Sequence, residues 1–169
     1  MDEDEEDYKF PFQDCDFIVS SLNLAASPPE TVRTVVEMLT KDKPKNYKYL
    51  DLGCGDGRYV FEAVKSGFYA VGIEMDPTSF KLCVDYQVQN DLIDKCCFYQ
   101  TDFFLFDLKE FNMISCYLYE KTLNMMSSRL KERMGDGNCS VATILYKPAS
   151  WTPVVSDDIY KIFVFDETA

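Results

Sequence analysis

The chain has 169 residues, of which 47% are hydrophobic, so it can bury the core of one domain and is too short to suggest two. Its formal net charge of −12 disfavours a nucleic-acid partner, because phosphate binding needs clustered Lys and Arg, and it favours a basic protein instead. The absence of histidine excludes catalytic triads, metal sites and general bases that depend on an imidazole ring.

The chain begins with an acidic leader, residues 1–16, which we expect to be disordered, with a docking arm as the alternative. Residues 17–169 are predicted to form a single folded domain. The leader lacks the regions of a signal peptide, and no later stretch is long enough to span a bilayer. The seven cysteines form no C-x-x-C pair and lie mostly in apolar runs, which suits a reducing compartment. We therefore expect a cytoplasmic protein that binds no membrane.

Helical and strand patterns alternate along the chain, with short breaks between them. Prolines and capping residues at helix starts, and glycines at helix ends, set most of the predicted boundaries. In chain order we predict a helix in PPETVRTVVEMLTK, a strand over Tyr47–Leu52, a helix over Arg58–Lys65 stopped by Gly67, a strand in YAVGIEM, a helix in DPTSFKLCVDYQVQN capped by Asp76 with Pro77 at its first position, strands in CCFYQTD and NMISCYLY, a helix in EKTLNMMSSRLKERM ended by Gly135, and strands in CSVATILYK and IYKIFVFDE.

This alternation predicts an α/β fold with a Rossmann-like, doubly wound and mostly parallel sheet and helices on both faces. The last two strands are separated only by PASWTPVVSD, which has no helical pattern. We expect them to pair as a hairpin, which makes the last strand antiparallel. In such a sheet, ligands bind beyond the carboxyl ends of the strands.

Three alternate glycines, Gly53, Gly55 and Gly57, fill the turn between the first predicted strand and the helix that follows it. Glycines at this point let a ligand approach the backbone closely and meet a helix N-terminus. The pattern differs from G-x-G-x-x-G because Arg58 stands where the third glycine would be, and it lacks the Gly-Lys-Ser/Thr ending of a phosphate loop. An ordinary strand-to-helix turn is the alternative interpretation.

Carboxylates lie at or near the carboxyl ends of three predicted strands. Asp51 and Asp56 flank the glycine turn, so they would repel a pyrophosphate and favour a ligand with positive charge. Glu74 follows about 20 residues later, where a Rossmann-type fold places the carboxylate that binds ribose hydroxyls. Asp102 comes after the third strand, beside the expected purine position, with the capping of a turn as its alternative role. Ribose, purine and a cationic amino-acid end together describe S-adenosylmethionine.

The motifs DLGCGDG, GIEMD and TDFF resemble those of the class I, seven-strand methyltransferases. Within that superfamily the chain is similar to the small protein-lysine methyltransferases that act on the ATP-synthase c-subunit and the adenine-nucleotide translocase. The likeness rests on SPPETV, DLGCGDGRYVFEA and SWTP, although Cys54 replaces the serine more usual in that group. The resemblance implies S-adenosylmethionine as the cofactor, bound by Asp51, Gly53, Cys54, Gly55, Asp56, Gly57, Glu74, Met75, Asp102 and Phe103.

The resemblance also implies an acceptor site at the end of the fourth predicted strand, where Tyr117, Tyr119 and Glu120 are the candidate catalytic residues. Methyl transfer needs an aligned, neutral nucleophile, and a partly dry aromatic channel would lower the pKa of a lysine amine. Strand packing and a helix cap are the alternative roles of these residues. Trp151 has two possible roles, to line the entrance of this channel or to belong to the core. The Asn-Pro-Pro-Tyr motif of enzymes that methylate amides and adenine amino groups is absent.

These observations together predict an S-adenosylmethionine-dependent methyltransferase, and they favour a protein-lysine N-methyltransferase. Its partner would be a basic protein segment with an exposed lysine, and no metal or nucleic acid is expected to take part. Two alternatives stay open. One is a small-molecule methyltransferase, against which the lack of an inserted cap domain argues, and the other is a catalytically silent module that only binds the donor.

Overall fold

The computed structural model describes residues 26–169, so residues 1–25, which include the predicted acidic leader 1–16, lie outside the described range. Helices and strands alternate within that range, and none of these helices is both long and apolar enough to cross a membrane. The elements are α1 (Pro29–Thr40), β1 (Lys48–Leu52), α2 (Arg58–Lys65), β2 (Tyr69–Ile73), α3 (Pro77–Gln89), β3 (Cys96–Tyr99), a short 3-10 helix (Phe103–Leu105), β4 (Met113–Cys116), α4 (Glu120–Met134), β5 (Ser140–Ile144), β6 (Val155–Asp157) and β7 (Ile162–Phe165).

The seven strands form one mixed sheet in the order β3-β2-β1-β4-β5-β7-β6. The first five strands in this order pair in parallel, whereas β7 runs antiparallel to both β5 and β6. This arrangement confirms the predicted Rossmann-like sheet with an antiparallel last strand. The strand order reverses between β1 and β4, which in an open α/β sheet opens a crevice at the carboxyl ends of the strands.

The edge strand β6 was not predicted from the sequence. It has only three residues, all of them exposed or half-buried, and it lies in a segment that contains Pro148 and Pro153. It therefore carries neither the buried run nor the alternation by which a strand is recognised. As a consequence β7 has β5 on one side and β6 on the other.

Helix boundaries follow the predicted capping residues. The Asp76 carboxylate accepts the Ser79 N–H at 2.8 Å and so caps α3. At the end of α2, Gly67 has a φ of +88°, and the next N–H, of Phe68, donates to the Ala63 carbonyl at 3.1 Å. A left-handed glycine satisfies the last helical carbonyls in this way and stops the helix.

Within residues 26–169 the core consists of two apolar clusters. They lie on opposite faces of the sheet, since neighbouring strand residues such as Tyr49 and Leu50 belong to different clusters. The first cluster includes the buried residues of α1 and α2, and the second includes the buried residues of α4. Trp151 is buried in the second cluster, where its ring meets Phe165 edge-on with centroids 5.0 Å apart. Of the two roles considered for Trp151, the structure therefore supports the one as a core residue.

Candidate functional site

The candidate site lies where the loops after the five parallel strands β1 to β5 converge. Leu52, the last residue of β1, is in register with Ile73 on β2 and with Cys116 on β4. Cys116 is in turn in register with Thr143 near the end of β5. Because these strands are parallel, their carboxyl ends share one edge of the sheet, and the candidate residues that follow them are brought together.

The glycine loop after β1 depends on left-handed backbone, since Gly53, Gly55 and Gly57 have φ values of +73°, +55° and +84°. A Cβ atom at Gly57 would lie 2.8 Å from the Phe61 ring, so core packing also demands glycine at that position. A Cβ atom at Gly55 would meet no heavy atom within 4 Å. The backbone at Gly55 therefore borders open space, as expected of a loop that receives a ligand.

Glu74 joins the glycine loop to the loop after β2. Its Oε2 accepts the Gly55 N–H at 2.8 Å and its Oε1 accepts the Asp76 N–H at 2.9 Å, and the residue is only 6% exposed. A carboxylate has about four acceptor positions, so about two of them stay available after these two bonds. That is the number needed to bind the two hydroxyls of a ribose.

Asp51 is a buried carboxyl group near the end of β1. It accepts a hydrogen bond from the Ser115 hydroxyl at 2.6 Å, across the parallel pairing of β1 with β4. Burial raises the pKa of Asp51 to about 8; the Ser115 hydrogen bond opposes this rise, and the charges of Glu74 and Asp56 add to it. A cationic ligand group placed beside Asp51 would favour its ionised form.

Asp56 does not face the site as an unpaired charge, because its carboxylate forms an ion pair with Arg58, which also donates to the Ser27 carbonyl. Ser27 is buried, and its hydroxyl oxygen accepts from the Tyr59 hydroxyl at 2.6 Å. The sequence argument that Asp51 and Asp56 both repel a pyrophosphate therefore needs correction: one is paired and the other has a strongly raised pKa. The pairing ties the start of α1 to the glycine loop.

The segment after β3 is held by its own hydrogen bonds and by α4. The half-buried Asp102 accepts the Phe104 N–H at 2.9 Å and so caps the 3-10 helix, which was the alternative role considered for it. Arg129 donates to the carbonyls of Phe103 and Phe104 at 2.9 and 2.8 Å, and also to that of Phe106. The Phe103 ring lies 3.8 Å from where a Cβ atom of Gly53 would be, which brings this segment beside the glycine loop.

Two further candidate cofactor-binding residues differ in exposure. Met75 is 65% exposed in the loop after β2. Cys54 is buried, and its sulfur lies 2.7 Å from where a Cβ atom of Gly72 would be, so the thiol faces the core. The Cys54 N–H donates to the Ile73 carbonyl at 2.9 Å and the Cys54 carbonyl accepts the Gly57 N–H at 2.8 Å, so only the second acceptor position of that carbonyl is left for a ligand.

The three acceptor candidates follow the end of β4, and the segment that carries them lies beside the glycine loop. The Leu118 side chain, between Tyr117 and Tyr119, is 3.4 Å from where a Cβ atom of Gly53 would be. Tyr119 precedes α4 and is 42% exposed, Glu120 opens α4 and is exposed, and Tyr117 is half-buried. Burial is the main cause that raises the pKa of Tyr117, followed by its neighbours Tyr146 and Tyr119. Sequence reasoning missed Tyr146, because the pairing of β4 with β5 brings it here and no motif marks it.

Residues 51–155 match the family model described as the ANTKMT methyltransferase domain. The chain is 24% identical to the ATP-synthase c-subunit lysine N-methyltransferase of Rattus norvegicus, over 90% of this chain and 72% of that protein. It is 25% identical to a protein-lysine N-methyltransferase of Saccharolobus islandicus (strain REY15A), over 75% of this chain and 78% of that protein.

Among solved structures, an RNA methyltransferase from Salinibacter ruber in complex with S-adenosyl-L-homocysteine superposes with a TM-score of 0.74. The two chains are 26% identical, and the superposition covers 83% of this chain and 90% of the other. These likenesses agree with the open backbone at Gly55 and the acceptor positions of Glu74, both of which suit S-adenosylmethionine.

Proposed function

This chain belongs to the ANTKMT methyltransferase domain family, and we propose on that premise that it transfers a methyl group from S-adenosylmethionine to the amine of a lysine in a protein. The observation that carries the proposal is the contact between the acceptor segment after β4 and the glycine loop that holds the donor. Leu118, which lies between the two candidate acceptor tyrosines, packs against the glycine loop at the position of Gly53. An acceptor that enters beside these tyrosines therefore meets a donor held by that loop.

The donor is held by the loops after β1, β2 and β3. Gly55 provides the open backbone, the remaining acceptor positions of Glu74 bind the ribose hydroxyls, and Asp102 and Phe103 border the purine. Asp51 provides a buried carboxyl group that stabilises a cationic part of the donor once it is ionised. S-adenosylmethionine supplies an activated methyl group on a sulfonium, which a neutral amine can attack in line.

The acceptor site needs a surface along which a lysine amine can enter and lose part of its hydration shell. Tyr117 and Tyr119 offer aromatic faces along which the aliphatic part of a lysine side chain can pack. The pKa of a lysine amine falls when the amine leaves water for such surroundings, which increases the neutral, nucleophilic fraction. Glu120 is exposed at the start of α4, and with the net charge of −12 it favours a basic segment around the target lysine.

The proposal is tested by incubating the protein with methyl-labelled S-adenosylmethionine and an extract of its own source. The extract is then separated into protein, RNA and small molecules, and the labelled protein is hydrolysed to amino acids. We expect labelled methyl-lysine with the wild-type protein and little with Gly55→Val, because the β-branched side chain fills the open space beside the backbone where the donor would bind. Label confined to RNA or to small molecules would contradict lysine as the acceptor, and no transfer despite donor binding would indicate a silent module.

A further inference from the structure

Tyr146 lies two residues beyond the end of β5 and belongs to none of the motifs that the sequence presents. Its ring stands beside that of Tyr119, with centroids 5.7 Å apart and planes at 50°. Tyr119 is 42% exposed and Tyr146 is half-buried, so solvent reaches both residues. With Tyr117, whose pKa both neighbours raise, they form a group that we name the tyrosine cluster (Tyr117, Tyr119 and Tyr146).

An unusual backbone turn sets the position of Tyr146. The Tyr146 N–H donates to the Ile144 carbonyl at 2.8 Å across Leu145, whose φ is +68°. This is a γ-turn with its central residue at positive φ, the rarer and more strained form. The Leu145 N–H is also fixed, because it donates to the Lys161 carbonyl at 2.8 Å. The chain therefore leaves β5 in one defined direction.

The segment that carries Tyr117 and Tyr119 contacts the donor loop through Leu118, and Tyr146 joins this segment from the neighbouring strand. Tyr117 and Tyr119 follow β4, Tyr146 follows β5, and the two strands are parallel neighbours that end at the same edge. Leu118, inside the cluster's first segment, packs against the position of Gly53. A side chain that reaches the donor from solvent beside Tyr119 therefore passes the ring of Tyr146.

We propose that Tyr146 is a specificity-determining residue that binds the acceptor lysine, with its ring forming one side of the entry and that of Tyr119 the other. This inference rests on the proposed lysine methyltransferase function. The four-carbon stem of lysine packs well against ring faces, and the ammonium group is attracted to them before it loses its proton. Shorter polar side chains, such as serine or asparagine, gain neither contact.

Loss of this ring should weaken acceptor binding without affecting the donor. The probe is a dilution series of the source extract, with labelled S-adenosylmethionine at saturation and methyl-lysine as the readout. For Tyr146→Ala we expect the extract concentration at half-maximal rate to rise at least tenfold and the maximal rate to stay within threefold of wild type. Tyr146→Phe, which keeps the ring, should stay within threefold of wild type in both values.

The control is Tyr69→Ala, which removes an exposed tyrosine at the amino ends of the parallel strands, where β2 begins, away from the candidate site. It should leave the half-saturating extract concentration unchanged, and all variants should bind S-adenosylmethionine within twofold of wild type by calorimetry. Unchanged acceptor saturation in Tyr146→Ala, or an equal shift in Tyr69→Ala, would overturn the proposal. If Tyr146→Ala does not fold, Tyr146→Leu takes its place with the same expected shift. Absence of methyl-lysine with the wild-type protein would contradict the proposed function instead.

Discussion

Replacing Glu74 by alanine should affect both donor affinity and stability, and the structure indicates the size of each effect. In the donor complex the variant loses hydrogen bonds from ribose to a charged group, which are worth about 2–3 kcal/mol together. That loss corresponds to roughly a 30- to 150-fold increase in the dissociation constant. Without donor, the variant leaves the N–H groups of Gly55 and Asp76 without their acceptor. Both bonds are only partly buried, so water replaces the carboxylate in part and the free energy of unfolding should fall by about 2–3 kcal/mol.

Glu74→Gln should give intermediate values, because the amide keeps one carbonyl oxygen but turns an NH₂ group towards one of the two backbone donors. The control is Glu62→Gln, which alters another buried glutamate, on α2, outside the converging loops. Donor affinity is measured by calorimetric titration with S-adenosylmethionine, and stability by urea denaturation without ligand. A folded Glu74→Ala protein that binds the donor within threefold of wild type would refute the role of Glu74. An equal loss of affinity in the Glu62→Gln control would do the same.

Three further predictions follow from buried or strained positions. Because the pKa of Asp51 is about 8 in the folded protein and near 4 when unfolded, the contribution of Asp51 to stability should be largest below about pH 4 and should fall by up to about 1.4 kcal/mol per pH unit as the pH rises towards 8. Urea denaturation of wild type and Asp51→Asn at a series of pH values measures this contribution as the part of the pH dependence that the variant lacks. Gly55→Val should abolish donor binding in calorimetry while circular dichroism stays native, whereas Gly57→Val should lose the fold because its side chain meets the Phe61 ring; a folded Gly57→Val protein would show that the packing argument is wrong. Leu145→Gly should be more stable than Leu145→Ala by about 1 kcal/mol, because only glycine adopts positive φ without strain; the reverse order in thermal unfolding would exclude strain at this turn.

The elements of the fold could be predicted because their signals are local. The helix over Arg58–Lys65 has the predicted bounds, since a left-handed glycine stands at each end of it. The cap at Asp76 was predicted for the same reason, because the acceptor and its N–H donor are three residues apart. In contrast, β6 has no such local signal, since it is short, exposed and flanked by proline.

The candidate site was predictable only where its residues follow strand ends in a motif. The contact of Asp51 with Ser115 joins residues 64 positions apart and exists because β1 and β4 are neighbours in the sheet. Tyr146 reaches Tyr119 in the same way, through the pairing of β4 with β5. The pairing of Asp56 with Arg58, by contrast, was open to local reasoning, because the residues are two positions apart. Counting the carboxylates of a loop therefore overestimates its negative electrostatic potential when an arginine is paired with one of them.

The most direct test of the account is a crystal structure of this protein with S-adenosylhomocysteine, the product that the donor becomes. We expect the ribose hydroxyls within hydrogen-bond distance of the Glu74 carboxylate, the backbone of Gly55 against the ligand, and the sulfur facing the tyrosine cluster. The ligand bound elsewhere, for example in the pocket of about 610 Å³ lined by Tyr69, Tyr99 and Phe106, would contradict the account. So would a ligand at the glycine loop whose sulfur points away from Tyr119 and Tyr146.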